Sequence, residues 1–175
     1  AGDLCAVEDM FAMQDLIARL GSKNVDARQR GSMIDPRWGR AAYLFNATIA
    51  GIDQADALLI VGSNPRKEAA IINARIRKRW RMGHFPIGLI GDRVDLTYPY
   101  HYLGAGPDSL AEIVDGKGDY ADILRQAQKP LVLLGASIFT RNDGARVAAL
   151  AAGAAMEIGA VKDGWNGFSV LHYAA

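Results

Sequence analysis

Five consecutive apolar residues, Ala57-Leu58-Leu59-Ile60-Val61, run directly into Gly62-Ser63-Asn64-Pro65 and then into a stretch of helical periodicity. No other feature constrains the fold as strongly. An unbroken apolar run of this length reads as a strand buried on both faces, the parallel-sheet type. Proline after the turn suits the first turn of a helix, where its missing N–H costs nothing. The helix is expected from about Lys67 to Arg81, with Ala69, Ile72, Ile76 and Trp80 on one buried stripe. Gly83 ends it, and Phe85-Pro86-Ile87-Gly88-Leu89-Ile90-Gly91 supplies a second buried strand. Such a strand–helix–strand unit requires parallel strands and a right-handed crossover.

The rest of the chain extends this α/β alternation. A helix is expected from about Ala6 to Leu20, preceded by Asp3 and stopped by Gly21, with Met10 and Met13 as core filler. Residues 22–40 are polar and broken by Gly31, Pro36 and Gly39. Arg28, Arg30, Arg37 and Arg40 stand there without an evident acidic partner, beside Trp38. The segment reads as a solvated loop or as a loop that docks on another protein domain, since Trp and Arg are favoured interface anchors. A short helix is expected over 41–50, and a short strand or ordered loop over Thr97–Tyr102. Asp108 or Ser109 can cap a helix to Val114, and another helix follows from about Tyr120 to Ala127. Leu131-Val132-Leu133-Leu134-Gly135 is a third apolar strand, and Asn142 or Asp143 caps an Ala-rich helix to about Ile158. Residues 159–175 are punctuated by glycine and show no element that completes the sheet. The expected architecture is a three-layer α/β/α, Rossmann-like domain with a mostly parallel sheet, one domain over 1–175 with its core in 41–158.

Composition narrows the function. Of 175 residues 50% are hydrophobic and 22% charged, enough for a packed core. A net charge of +1 argues against a dedicated nucleic-acid or membrane-surface binder. One cysteine, Cys5, excludes a disulfide framework, and it excludes a Cys-ligated iron–sulfur or zinc site drawn from this chain alone. No apolar run approaches a membrane span. A first residue of Ala1 rather than Met reads as a piece of a longer protein.

The candidate site is the turn itself. Ligands of open α/β sheets bind at the carboxyl ends of the strands. Gly62 lets backbone approach a ligand, and Ser63 and Asn64 offer short polar groups; the same turn also reads as a compact helix start. Asp92, after the second strand, could hold a ribose hydroxyl or be a surface acid paired with Arg93. Gly104 and Gly106 copy half a glycine fingerprint, with no strand expected before them. Arg75, Arg77, Lys78, Arg79 and Arg81 form a dense basic run, read as a solvated helix end or as a partner surface on which Arg75 and Arg79 share a face. The histidines His84, His101 and His172 are scattered, and no hydrolytic or metal-binding motif stands out.

The order of these motifs carries a resemblance. Leu44-Phe45-Asn46-Ala47-Thr48-Ile49-Ala50-Gly51-Ile52-Asp53-Gln54-Ala55-Asp56 leads into the strand and Val61-Gly62-Ser63-Asn64-Pro65-Arg66. Then come Asn73-Ala74-Arg75-Ile76-Arg77-Lys78, Val94-Asp95-Leu96-Thr97-Tyr98, Lys129-Pro130 and Arg141-Asn142-Asp143-Gly144. The string is similar to the large iron–sulfur subunit family of respiratory complex I (the G, or 75-kDa, subunit), most firmly over Ala41–Leu103. The matched region resembles the molybdopterin oxidoreductase fold. In active relatives the Gly-x-Asn-Pro turn and the following acid help hold a pterin guanine dinucleotide, which maps to Gly62, Ser63, Asn64 and Asp92. This chain reads Arg93-Val94-Asp95-Leu96-Thr97 where those relatives often show Asp-Pro-Arg-x-Thr. The resemblance implies a vestigial cradle with molybdopterin lost, and iron–sulfur clusters carried by an amino-terminal region outside this chain. It implies a structural domain in the peripheral arm, on the cytoplasmic or matrix side, packed against other complex I subunits and against the cluster-bearing region of its own parent. Trp38, Arg75 and Arg79 are the docking candidates. A cofactor-binding domain of a molybdopterin oxidoreductase is the alternative.

Overall fold

The computed structural model describes residues 5–25 and 34–171. Asp3, Arg28, Arg30, Gly31 and His172 fall outside that range.

Helix α1 (Val7–Arg19) forms where its periodicity predicts, and Gly21 closes it at φ +73°. It buries none of its residues; Phe11 is 71% exposed and Met13 49%. The two methionines therefore do not fill the core. Periodicity reports that a helix has an apolar face, and says nothing of what covers that face. The helix expected over 41–50 is replaced by a 3-10 turn at Arg40–Ala42 and a single α turn, α2 (Thr48–Gly51), followed by a second 3-10 turn at Ile52–Gln54. Asn46 explains the difference. Its amide donates to the carbonyls of Ala41, Leu44 and Phe168 at 2.7, 3.3 and 2.7 Å, which ties this segment to the far end of the chain instead of to itself.

Strand β1 (Ala57–Val61) is buried at all five positions. The helix expected after it is two helices, α3 (Pro65–Glu68) and α4 (Ala70–Arg81), because Ala69 leaves helical space at φ −150°, ψ 68°. Glu68 turns back to the start of α3, while α4 buries Asn73 and Ile76. Strand β2 (Ile87–Ile90) is followed by β3 (His101–Gly104), so a strand does precede Gly104 and Gly106. Helix α5 (Pro107–Val114) starts from Gly106 as its cap with Pro107 at its first position, so the cap lies two residues before the nearer expected one, Asp108. Helix α6 (Asp119–Gln126), strand β4 (Pro130–Leu134), a 3-10 turn at Ala136–Thr140 and helix α7 (Gly144–Glu157) follow. Asp143 stands at the start of α7, but its carboxylate is held by Arg141 and makes no cap bond.

The end of the chain corrects the expectation most. Strands β5 (Val161–Lys162) and β6 (Trp165–Asn166) form a hairpin, and β7 (Phe168–Val170) adds a fifth strand to the sheet. The strand order is β3-β2-β1-β4-β7, with every neighbour parallel, and Leu59 stands between Gly88 and Val132. The core accordingly runs past residue 158, through Phe168 and Val170 to Leu171. Three buried residues are too few to show a periodicity in sequence.

Helices cover both faces. Leu59, Val61, Val132 and Leu134 pack toward α5, α6 and α7 on one side. Leu58, Ile60, Leu131 and Leu133 pack toward Ile52, Ile76, Phe85 and Trp165 on the other. Each such side chain contributes about 1.5–3 kcal/mol on burial. Alanines 148, 151 and 155 on the inner face of α7 keep that helix close to the sheet. Among the described residues, no helix is long and apolar enough to cross a membrane.

Candidate functional site at the carboxyl edge of the sheet

The chain leaves β1 toward β2 and β3, and returns to the other side of β1 for β4 and β7. The sheet thus reverses its direction of growth between β1 and β4, and the loops above that point diverge. A cleft of about 430 Å³ opens there. Gly62, Ser63 and Asn64 line it from β1, Asp92 from β2, the 105–107 turn from β3, and Ser137 and Arg141 from β4. The structure thus brings together all four predicted site residues, and adds Lys67, Glu68, Ser137 and Arg141, which the sequence reading passed over.

Gly62 and Gly135 make the turn possible. Gly62 sits at φ +60°, and a Cβ there would stand 2.8 Å from Ile138. At Gly135 a Cβ would meet the carbonyl oxygen of Gly62 at 2.0 Å. Two backbones therefore touch at this point, which only glycine permits. Ser137 donates its hydroxyl to the same Gly62 carbonyl at 2.9 Å.

The polar accounting of the turn decides what it can hold. The N–H of Gly62 donates to Ile90 at 2.8 Å. The N–H of Asn64 donates to one carboxylate oxygen of Glu68 at 2.6 Å. The N–H groups of Lys67 and Glu68 donate to the Asn64 carbonyl, both at 2.9 Å. Three acceptors are left: Ser63 Oγ, Asn64 Oδ1 and Glu68 Oε2 are buried without a hydrogen-bond partner in the chain. Each such atom costs about 1–3 kcal/mol while unpaired. A dinucleotide's diphosphate needs donors, and here the N–H groups of Gly62, Asn64, Lys67 and Glu68 are already spent and the Glu68 carboxylate stands at the head of the turn. The turn itself fits that group poorly.

Asp92 is exposed on the lip of the cleft. Among the described residues it forms no ion pair with Arg93, whose guanidinium lies 4.1 Å from the ring centre of Tyr102. The loop after it is bolted down from two sides. Arg66 pairs with Asp95, and the Tyr98 hydroxyl donates to Asn73 at 2.7 Å while Asn73 donates to the Leu96 carbonyl at 3.2 Å. Burial pushes the Tyr98 hydroxyl far above its ordinary pKa, so it stays a donor. Thr97 follows at φ +73°, a strained value for a β-branched residue.

The docking candidates lie elsewhere. Arg75 and Lys78 share Asp53 at 2.8 and 3.2 Å. Burial alone would raise the Asp53 pKa, but hydrogen bonds from Lys78 and Arg75 outweigh it and hold the carboxyl below the usual range. Arg79 donates to the carbonyls of Ala55 and Gly83 at 2.7 and 2.9 Å and lies over Phe85. Both arginines are thus engaged within the chain. Trp38 is 43% exposed. Arg37 does have an acidic partner, Asp35, two residues before it.

Known proteins share this architecture and much of its sequence. The family model described as molybdopterin oxidoreductase matches residues 1–175. The chain is 36% identical to the mitochondrial NADH dehydrogenase (ubiquinone) iron-sulfur protein 1 of Solanum tuberosum, over 98% of this chain and 23% of that protein. It is 36% identical to the mitochondrial NADH-ubiquinone oxidoreductase 78 kDa subunit of Neurospora crassa, over 100% of this chain and 24% of that one. It is 34% identical to the G subunit of the NADH-quinone oxidoreductase of Rickettsia bellii, over 98% and 25%. The chain thus spans about a quarter of the length of these relatives. Among solved structures, the formyltransferase/hydrolase complex of Methylorubrum extorquens superposes with a TM-score of 0.61 at 20% identity, over 97% of this chain and 51% of that chain. That likeness concerns the fold alone.

Proposed function

The chain belongs to the molybdopterin oxidoreductase family, and we propose that it is a structural domain of the G subunit of an NADH:quinone oxidoreductase, respiratory complex I. The observation that carries this reading is identity of 34–36% to the bacterial G subunit and its mitochondrial counterparts across essentially the whole chain. In this reading the domain takes part in electron transfer from NADH to quinone only through the complex. Iron–sulfur clusters reside in other parts of the same polypeptide, and the peripheral arm sits on the cytoplasmic or matrix side. Its partners are neighbouring subunits and the cluster-bearing region of its own polypeptide.

We read the ancestral cofactor cradle as no longer holding molybdopterin. The spent N–H groups of the Gly62 turn and the Glu68 carboxylate at its head support this. So do the unpaired Asn64 Oδ1 and Glu68 Oε2, which can only accept and offer nothing to a phosphate oxygen. A test uses the assembled complex carrying Ser63→Ala with Glu68→Gln. A structural domain predicts an NADH:quinone rate per assembled complex within about twofold of the parent. A loss of tenfold or more in fully assembled complex would mean that the cleft serves the chemistry, as in the cofactor-binding alternative.

A further inference from the structure

Helix α1 carries far more apolar surface than the domain uses. At the helical repeat, Leu16, Leu20, Met13, Ile17, Met10, Val7 and Phe11 follow one another around roughly 220° of its circumference. Only Asp9 and Gln14 interrupt that arc, and Asp9 stands in the first turn, where the helix amino end favours an acid. Glu8, Asp15 and Arg19 share a narrow stripe on the opposite side, closed by the Asp15–Arg19 ion pair at 2.7 Å. Met10 and Ile17, at the middle of the arc, are half-buried. The residues on either flank of them, Val7 and Phe11 on one and Met13, Leu16 and Leu20 on the other, are 49% to 77% exposed.

The width of the arc says what kind of cover it takes. A helix on the surface of a domain needs one apolar stripe of little more than about 100°, and a helix apolar around most of its circumference belongs to an interior. Interfaces between separately folded proteins are only about as apolar as the rest of their surfaces. A cover that reaches both flanks of α1 is therefore of the kind that a single polypeptide builds. The relatives show how much polypeptide there is to build it: the chain matches about a quarter of their length, which leaves about three quarters outside it. Within one polypeptide the cover also docks at high effective concentration, before a second protein arrives. Arg75 and Arg79 spend their hydrogen bonds within the chain, whereas α1 leaves both flanks of its arc open.

We propose that the apolar arc of α1 is an internal docking surface, covered by an apolar face of another part of the same polypeptide and not by a neighbouring subunit or a second copy. This rests on the reading of the chain as one domain of a longer polypeptide.

Hydrogen exchange of the α1 amides tests the proposal, since an uncovered helix opens locally. It is measured in the 175-residue chain, in the full-length polypeptide alone and in the assembled NADH:quinone oxidoreductase. Exchange roughly a hundredfold slower in the full-length polypeptide than in the chain is expected, with no further slowing on assembly. Phe11→Glu with Leu16→Glu should leave the melting temperature of the chain unchanged and restore fast exchange in the full-length polypeptide. Protection that appears only on assembly overturns the proposal and assigns the cover to another subunit. Protection of the chain alone that rises with its concentration overturns it in favour of a second copy. Fast exchange in all three samples, a lowered melting temperature of the doubly substituted chain, or α1 still protected in the doubly substituted full-length polypeptide also overturns it. Absence of the polypeptide from the purified oxidoreductase overturns instead its place in complex I, and the comparison of chain with full-length polypeptide still decides the cover.

Discussion

The two ends of the central strands are built on opposite rules. At the amino end, the polar groups that join β1 to β4 are paired. The Asp56 carboxylate accepts the N–H groups of Gln128 and Lys129 at 2.6 and 2.8 Å. The Lys129 ammonium donates to Gln54 at 2.7 Å and lies over the Trp165 ring, whose own N–H donates to the Pro130 carbonyl at 2.9 Å. At the carboxyl end, two glycine backbones touch and three buried acceptors go unpaired. The amino end locks β1 to β4, whereas the carboxyl end sacrifices stability to keep a polar cleft. Residues that depart from the best local choice mark sites of function, past or present.

That contrast can be broken most forcefully at Trp165. Trp165→Ala removes a buried ring from the amino end and should cost about 3–5 kcal/mol, read as a lower urea midpoint with an unchanged slope. Asp56→Ala strands two backbone donors and should cost about 1–3 kcal/mol. Ser169 sharpens the comparison, because it is a second buried serine with a partner: its hydroxyl oxygen accepts the Ala47 N–H at 3.1 Å. Ser169→Ala should cost about 1–2 kcal/mol. A smaller effect comes from Asp53, whose ion pairs are partly solvated. Its folded pKa lies below the ordinary carboxylate value of about 3.9. Its contribution is therefore present above that value and is lost as pH falls through the folded pKa. In acid titrations Asp53→Asn should lose less stability below about pH 4 than the parent chain. Smallest of all is Ser63→Ala, which removes an unpaired hydroxyl and should leave stability within about 0.5 kcal/mol or raise it. A cost at Ser63 equal to that at Ser169 would contradict the reading of the Ser63 hydroxyl as unpaired.

The same distinction governs what was legible in the sequence. The apolar runs at 57–61 and 131–134 announced parallel strands because burial on both faces leaves no polar alternation. Gly62, Ser63, Asn64 and Asp92 come together at one edge, since a strand's carboxyl end follows from its position in the chain. Glu68 was not singled out, although its spacing of four from Asn64 was a readable signal of a side chain reaching back over the first helical turn. Strand β7 was missed because its three residues draw their stability from β4, far away in sequence. Helix α1 was read correctly as a helix and wrongly as a source of core, because the pattern of Val7, Phe11 and Leu16 fixes a face and not its cover. Arg75 and Arg79, read as a solvated helix end or a partner surface, gain partners that only the fold brings beside them, Asp53 and the carbonyls of Ala55 and Gly83.

In the proposed reading the carboxyl edge keeps the shape of a dinucleotide cradle without its ligand. The most direct measurement is the pterin and guanine nucleotide content of the purified complex, by mass spectrometry and absorbance after denaturation, expressed per copy of this polypeptide. The account predicts far less than one molecule per copy. One pterin dinucleotide per copy, retained through purification, would contradict it.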